Sequence, residues 1–275
     1  MSDQPTLRRG YANSPWGQLH YTQATPSRPT NRTPLVMLHG SPFSSKEYAA
    51  LLPEMGRDRV AIAFDNPGAG GSDGPGKDVT LEEYAGVVAG GINLLGYGPN
   101  KQIDLLGNLT GSSIATEIAI AQPRMVRHLI LPGVLISTEE QIRKSLADLS
   151  FPESSVKFFD EFSATLLPRY AKDAPADAEG DRIWGEMIAD SLRPVAKRET
   201  IHVAAYNYGY RKRERMGLVN VPVILLATGS FMRASTLAAK GAFKNETFVD
   251  VPQFRADAFR TQTAEFGALL RAHLD

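Results

Sequence analysis

The sequence predicts an α/β fold: a mostly parallel sheet flanked by helices, with a helical cap inserted into it. Short apolar segments alternate with helical patterns of about 10–15 residues, an order typical of β–α–β units joined by right-handed crossovers. Between residues 137 and 216 this alternation stops, and charged helical patterns take its place. At 275 residues, the chain is long enough for one large domain that carries such an insertion.

The N-terminal elements are a hairpin and the first parallel strand. Thr6–Thr25 contains two alternating stretches around Asn13–Gly17, a pattern that predicts a β-hairpin. Leu35–Leu38 is a short apolar segment that predicts a buried strand. Ser44–Glu47 then has the spacing of a capping box, which predicts that a helix begins there and ends near Met55.

Strands and helices then alternate up to about residue 136, and we expect residues 1–136 to form the first part of the core. A second capping box, Thr80–Glu83, predicts a helix that ends near Leu95. The other elements predicted in this half are the strands Val60–Phe64, Ile103–Leu106 and Arg127–Leu131 and the helix Ser112–Gln122.

Residues 137–216 are predicted to form a helical cap, or lid, with helical patterns at Glu139–Leu149, Ser155–Tyr170, Asp181–Ser191 and Val195–Arg213. Aromatic residues of this cap are expected to line an apolar cavity or to pack inside the cap: Phe158, Phe159, Trp184, Tyr206 and Tyr210. Residues 217–275 are predicted to complete the core with the strands Val221–Ala227 and Thr247–Val251 and the helices Ala234–Phe243 and Thr261–Leu274.

Four motifs follow the predicted strands in a characteristic order: Leu35-Val-Met-Leu-His-Gly-Ser-Pro42, Phe64-Asp-Asn-Pro-Gly-Ala-Gly-Gly-Ser-Asp73, Asp104–Gly111 and Pro123–Leu131. Together they resemble the α/β-hydrolase-fold superfamily over nearly all of the chain outside the cap. The resemblance implies an eight-stranded, mostly parallel sheet. It also identifies Gly107–Gly111 as the G-x-Nu-x-G nucleophile elbow, a sharp turn between a strand and a helix.

The three catalytic positions that the resemblance implies are all substituted. Leu109 stands where the family has its nucleophile, and leucine has no atom that could attack a substrate. The position of the acid falls at Ser230 or Phe231, and the position of the histidine base falls near Ala256. The sequence therefore predicts a pseudohydrolase-like member of the superfamily, which lacks the Ser-Asp-His triad.

An oxyanion hole is expected to survive these substitutions, because its donors are the backbone N–H groups of Ser41 and Thr110. The residues predicted to take part in chemistry are Ser41, Leu109, Thr110, His39 and Asn108. The residues predicted to bind substrate are Phe43, Ser112, His202, Tyr206, Ser230, Phe231 and Ala256.

Several of these residues have a structural alternative. His39 is expected to stabilise its turn more readily than to catalyse, and Asn108 to tolerate a strained elbow backbone. His202 could face the cavity as a general base or simply pack within the cap. Other polar candidates have the same two interpretations: Ser112 and Ser113 as nucleophiles or helix-packing residues, and Glu139 and Glu140 as an acid or a charged first helical turn.

The composition of the chain limits the kinds of chemistry and the partners that the protein can have. The chain has no cysteine, which excludes disulfides and thiolate chemistry, and its formal net charge of zero gives no indication of a nucleic-acid partner or a membrane surface. We predict no metal and no cofactor, since no His/Asp/Glu cluster has ligand spacing and Gly68–Gly71 lacks a phosphate-binding frame. We expect a cytoplasmic protein with a small-molecule substrate or ligand, for which a homodimer is one open alternative.

Three functions remain open. The first is an enzyme that acts without a covalent intermediate on a carbonyl-bearing substrate, as a lyase, isomerase, dehydratase or cyclase, through the retained oxyanion hole. The second is a catalytically inactive pseudohydrolase that binds a ligand or a partner. The third is a hydrolase with an atypical relay through Ser112, Ser113 or a water activated by His202.

Overall fold

The computed structural model describes residues 4–147, 196–209, 211–256 and 258–275, together with single positions between 160 and 189. Its strands are β1 Thr6–Ser14, β2 Gly17–Thr25, β3 Leu35–Leu38, β4 Ala61–Phe64, β5 Ile103–Asn108, β6 Val126–Gly133, β7 Val223–Thr228 and β8 Glu246–Val251. They form one sheet in the order β1-β2-β4-β3-β5-β6-β7-β8. β2 pairs antiparallel with β1 and β4, and the other neighbours are parallel. The predicted fold class is confirmed.

The helices of the described residues are α1 Leu51–Met55, α2 Leu81–Leu94, α3 Thr110–Ala121, α4 Glu139–Ala147, α5 Ala196–Gly209, α6 Lys212–Met216, α7 Arg233–Ala238, α8 Ala258–Thr261 and α9 Thr263–Leu274. The capping box at the start of α2 is confirmed: the Thr80 side chain accepts from the Glu83 N–H, and the Glu83 carboxylate accepts from the Thr80 N–H. The predicted β1–β2 hairpin is also confirmed.

The parallel strands have short apolar sequences because helices cover both faces of the sheet. Every residue of β3, β4, β5 and β7 is buried. On one face, residues of α2 and α3 such as Val88, Ile114 and Ile118 pack on the strands. On the other face, Tyr48, Phe259 and Phe266 form an edge-to-face aromatic cluster. The candidate site lies over the strand ends beside this aromatic cluster.

The capping box predicted at Ser44–Glu47 is wrong. The Ser44 hydroxyl accepts from the Lys46 N–H, and a single 3-10 turn, Ser45–Tyr48, precedes the separate helix α1. The Glu47 carboxylate does not return to the backbone of Ser44, because it points into the protein and accepts hydrogen bonds there. The one predicted helix is therefore two short elements.

The described part of the predicted cap consists mainly of α4, α5 and α6. α4 packs on α5, α5 contacts α2, and α6 contacts α3. The cap aromatics Phe158, Phe159, Trp184 and Tyr210 lie outside the described residues, as does most of the chain between 148 and 195. No helix in the described part of the chain is long and apolar enough to cross a membrane.

Candidate active site

The elbow predicted at Gly107–Gly111 is present as a sharp strand-to-helix turn. β5 ends at Asn108, α3 begins at Thr110, and Leu109 alone connects them with φ +51° and ψ −114°. Positive φ is uncommon for a residue with a side chain and costs of order 1–3 kcal/mol. The strained conformation is held by the Leu109 N–H, which donates to the Gly133 carbonyl at 3.1 Å. A leucine therefore occupies the apex of the turn.

Glycines make this turn sterically feasible. A Cβ atom at Gly107 would lie 2.3 Å from the Gly111 carbonyl oxygen, and one at Gly111 would lie 2.2 Å from the Leu38 carbonyl oxygen. The Gly111 N–H donates to the His39 carbonyl at 3.1 Å, which ties the elbow to the turn after β3. The two turns are thus in backbone contact, and only glycine fits where they meet.

A cleft of about 400 Å³, counting its part open to solvent, lies beside Leu109. Its described lining residues are Glu47, Asn108, Leu109, Pro132, Thr228, Ser230, Phe231, Met232, Arg255, Ala256, Ala258, Phe259 and Phe266. The three positions that the resemblance assigned to nucleophile, acid and base therefore meet in one cleft. Of the described lining residues none is a histidine, and Glu47 is the one carboxylate.

The rim of the cleft is built by the turns that follow β7 and β8. The Gly229 N–H donates to the Phe254 carbonyl at 2.7 Å, and a Cβ atom at Gly229 would lie 2.1 Å from the Pro252 carbonyl oxygen. This close approach brings Ser230 beside Ala256. The Ser230 hydroxyl accepts from the Thr228 hydroxyl at 3.0 Å and from the Met232 N–H at 3.3 Å, so it stabilises its own turn.

Glu47 is a residue of the cleft that the sequence did not predict. It is 5% exposed, its Oε2 accepts from the Gly40 N–H at 2.9 Å, and its Oε1 accepts from the Asn108 side-chain amide at 3.0 Å. Burial raises the pKa of Glu47 above its ordinary value, although Arg260, the hydrogen bonds from Gly40 and Asn108, and His39 all oppose that rise. The sequence shows only that Glu47 lies three residues after Ser44, and this spacing also fits a helix capping box.

His39 and Asn108 were predicted to take part in chemistry, and the structure shows what each of them contacts. His39 Nδ1 lies 2.9 Å from the Gly40 carbonyl oxygen, and His39 Nε2 accepts from the Asn66 N–H at 2.8 Å. Both ring nitrogens serve the turn, which favours the structural alternative. The suggestion that Asn108 tolerates strained backbone is wrong, because Asn108 belongs to β5 and the positive φ is at Leu109.

The predicted oxyanion donors flank the elbow. Within the described residues, the backbone N–H groups of Ser41 and Thr110 donate to no protein acceptor. Gly40 packs against Leu109 so closely that a Cβ atom would lie 2.8 Å from Leu109 Cδ1, which brings the loop that carries Ser41 to the elbow. Phe43 is buried behind this loop, where its N–H donates to the Gly40 carbonyl at 3.0 Å.

Ser41, Thr110, His39 and Phe43 are not among the described lining residues of the cleft, and neither are the remaining candidates. The Ser112 hydroxyl donates to the Leu109 carbonyl at 2.5 Å, and the Ser113 hydroxyl accepts from Lys212 Nζ at 2.8 Å. His202 and Tyr206 lie on α5 and are not among the described lining residues of the cleft. Glu139 and Glu140 are exposed in the first turn of α4, which favours the helix-terminus interpretation. No group of three metal-ligating side chains occurs among the described residues.

Parts of this chain are similar in sequence to two curated hydrolases. The 2-hydroxymuconate semialdehyde hydrolase of Pseudomonas sp. (strain CF600) is 35% identical over 108 residues, which are 36% of this chain and 36% of the relative. The 2-hydroxy-6-oxo-2,4-heptadienoate hydrolase of Pseudomonas putida is 32% identical over 106 residues, 37% of each chain. These alignments span little more than a third of each relative.

The fold and the family are shared more widely. The crystal structure of a hydrolase from Pseudomonas aeruginosa PA01 matches with a TM-score of 0.77 over 97% of this chain and 98% of that one, at 15% identity, which shows a common fold. Residues 35–264, most of the chain, match the sequence pattern of the alpha/beta hydrolase family. With the order of the strands, the elbow and the cleft in agreement, the chain belongs to the alpha/beta hydrolase family.

Proposed function

We propose that this protein is a small-molecule enzyme that acts without a covalent intermediate on a carbonyl-bearing substrate, in a lyase, isomerase, dehydration or cyclisation reaction. The observation that carries the proposal is the leucine at the apex of an otherwise intact elbow. Acyl transfer in this family begins with attack by the residue at that position, and an aliphatic side chain cannot attack. The electrostatic part of the site does not depend on that side chain.

In this proposal the substrate carbonyl oxygen accepts hydrogen bonds from the backbone N–H groups of Ser41 and Thr110. Thr110 is the first residue of α3, so the partial positive charge at the N-terminus of that helix also favours a developing enolate oxygen. One such preorganised donor is typically worth about 10²–10³ in rate. Leu109, Phe259 and Phe266 give the adjoining cleft apolar walls. Hydrogen bonds to a developing oxyanion are stronger in an apolar environment that excludes water.

The names of the two relatives support the substrate class. Both names describe conjugated compounds that carry a hydroxyl and an oxo group, and such compounds interconvert between enol and keto forms. Chemistry at an enolisable carbonyl needs a stabilised oxyanion but no nucleophile. The described positions of Ser112 and Ser113 lend no support to the atypical hydrolase relay, because both hydroxyls are held outside the cleft.

The test starts by identifying a ligand through native mass spectrometry of the purified protein. The protein is incubated with that ligand and, in parallel, with 2-hydroxymuconate semialdehyde. We expect a product that has not been cleaved by hydrolysis. Ser41→Pro removes one donor, and we expect turnover to fall about 10²–10³-fold, whereas Ser27→Pro in an exposed loop should leave it unchanged. Two smaller hydrolysis products, or full turnover by Ser41→Pro, would contradict the proposal. A ligand that is bound but never consumed would favour the inactive binding protein.

A further inference from the structure

Among the described residues of the cleft, Glu47 alone combines three properties. It carries a carboxylate, it lines the cleft together with Leu109, and it is almost completely buried. The 3-10 turn Ser45–Tyr48 holds it in place, because the Ser45 N–H donates to Asp65 at 2.7 Å and the Tyr48 hydroxyl donates to the Leu38 carbonyl at 2.9 Å. The carboxylate is therefore fixed beside the elbow.

The hydrogen-bond partners of Glu47 are neutral. Its two oxygens accept from a backbone N–H, that of Gly40, and from the side-chain amide of Asn108. These neutral donors orient the carboxylate, and they favour its charged form less strongly than a cation in direct contact would. The charged or titratable groups around it are Arg260 on α8, His39 at the end of β3, Tyr48 on its own turn and Arg255 on the cleft rim.

We infer that Glu47 is the catalytic general base and acid of this cleft, an inference that rests on the function proposed above. Its carboxylate takes a proton from the carbon next to the substrate carbonyl, and the electrons of that C–H bond become the C=C bond of an enolate. The backbone N–H groups of Ser41 and Thr110 hold the enolate oxygen. The Glu47 carboxyl group then returns the proton to a different carbon, so atoms and electrons balance with no further reactant.

Burial of Glu47 suits this role. Because burial raises its pKa above the ordinary value, its carboxylate is a stronger base than an exposed one, and its protonated form is a usable acid nearer to neutral pH. The hydrogen bond from Asn108 also explains why an amide side chain precedes the elbow leucine: it positions the base. Asn108 is thus a positioning residue in this account.

The test uses cyclohex-3-enone, whose conversion to cyclohex-2-enone moves one proton from C2 to C4 and is followed by the absorbance of the conjugated product. We expect the wild-type protein to accelerate this isomerisation and Glu47→Gln to lose about 10²–10⁴-fold of that rate. Glu265→Gln makes the same chemical change at an exposed position of α9 and should have no effect. In the wild type, kcat/KM should rise with pH through a group titrating above the usual range of a glutamate, and Glu47→Gln should abolish this rise.

The outcomes separate the two proposals. Glu47→Gln with wild-type rate and pH profile, while Ser41→Pro is inactive, would overturn the role of Glu47 and leave the proposed function standing. No acceleration by the wild type would overturn the role of Glu47 and leave the proposed function to the test with the co-purified ligand. If circular dichroism shows that Glu47→Gln does not fold, Glu47→Asp decides: we expect a rate at least tenfold lower with the pH profile retained, and an unimpaired Glu47→Asp would contradict the inference.

Discussion

Two buried glutamates in this protein have opposite environments. Glu117 on α3 accepts from the Tyr208 hydroxyl and from Arg215 Nε, both at 2.8 Å, and from a second Arg215 nitrogen at 2.5 Å. Among the described residues, the donors to Glu47 are neutral groups, and its side chain lines a cleft. They are similarly buried, at 2% and 5% exposure. Burial alone therefore does not make a carboxylate available for chemistry: Glu117 is held in an ion pair with Arg215, whereas Glu47 lines a cleft.

The largest expected effect comes from removing the charge of the paired glutamate. Glu117→Gln leaves the Arg215 guanidinium without its carboxylate and should lower the free energy of unfolding by about 3 kcal/mol. Glu47→Gln should lower it less, by about 1 kcal/mol, because the amide oxygen can replace one of the two hydrogen bonds from Gly40 and Asn108 and no cation in contact loses its partner. Urea denaturation of both variants and of the exposed control Glu265→Gln measures the difference. Equal losses for the two buried glutamates would break the comparison.

A smaller effect is expected at Lys212 on α6, whose buried side chain contacts α3. Its Nζ donates to the Ser113 hydroxyl at 2.8 Å, and burial lowers the pKa of Lys212 to about 7. Below pH 7 the lysine is charged in the folded and the unfolded chain, so the cost of burying the charge is fully present. Between pH 7 and about 10.5 the folded chain has lost this proton while the unfolded chain keeps it, so stability should rise with pH, by at most about 1.4 kcal/mol per unit.

Lys212→Met removes the buried charge and should raise the free energy of unfolding at pH 7 by about 2 kcal/mol, after the loss of the hydrogen bond to Ser113 is counted. The variant should also lack the rise in stability between pH 7 and about 10.5. Denaturation curves at several pH values, with the exposed Lys144→Met as control, measure both quantities. Parallel pH curves for the wild type and Lys212→Met would show that Lys212 does not titrate in this range.

The fold and the elbow could be predicted from the sequence because their determinants are local. Apolar strand segments, the capping box at Thr80 and the glycines at positions 107 and 111 each act within a few residues of the chain. The meeting of Leu109, Ser230 and Ala256 in one cleft also agrees with the order of the motifs.

The roles of Glu47 and Lys212 could not be predicted in this way. Glu47 depends on Asn108, which is 61 positions away, and Lys212 depends on Ser113, 99 positions away. Local spacing even favoured a wrong role for Glu47, since a glutamate three residues after a serine fits a helix cap as well as a buried contact. Tertiary contacts decide between these roles, and a local pattern does not contain them.

Labelling with a fluorophosphonate probe tests the central claim most directly, because the probe bonds to activated serines. Intact-protein mass spectrometry should find no adduct on the wild type. Leu109→Ser should also remain unlabelled and without esterase activity, because no histidine lies among the described residues that line the cleft and could take the proton of the new serine. One equivalent of probe on any serine of the wild-type protein would contradict the account.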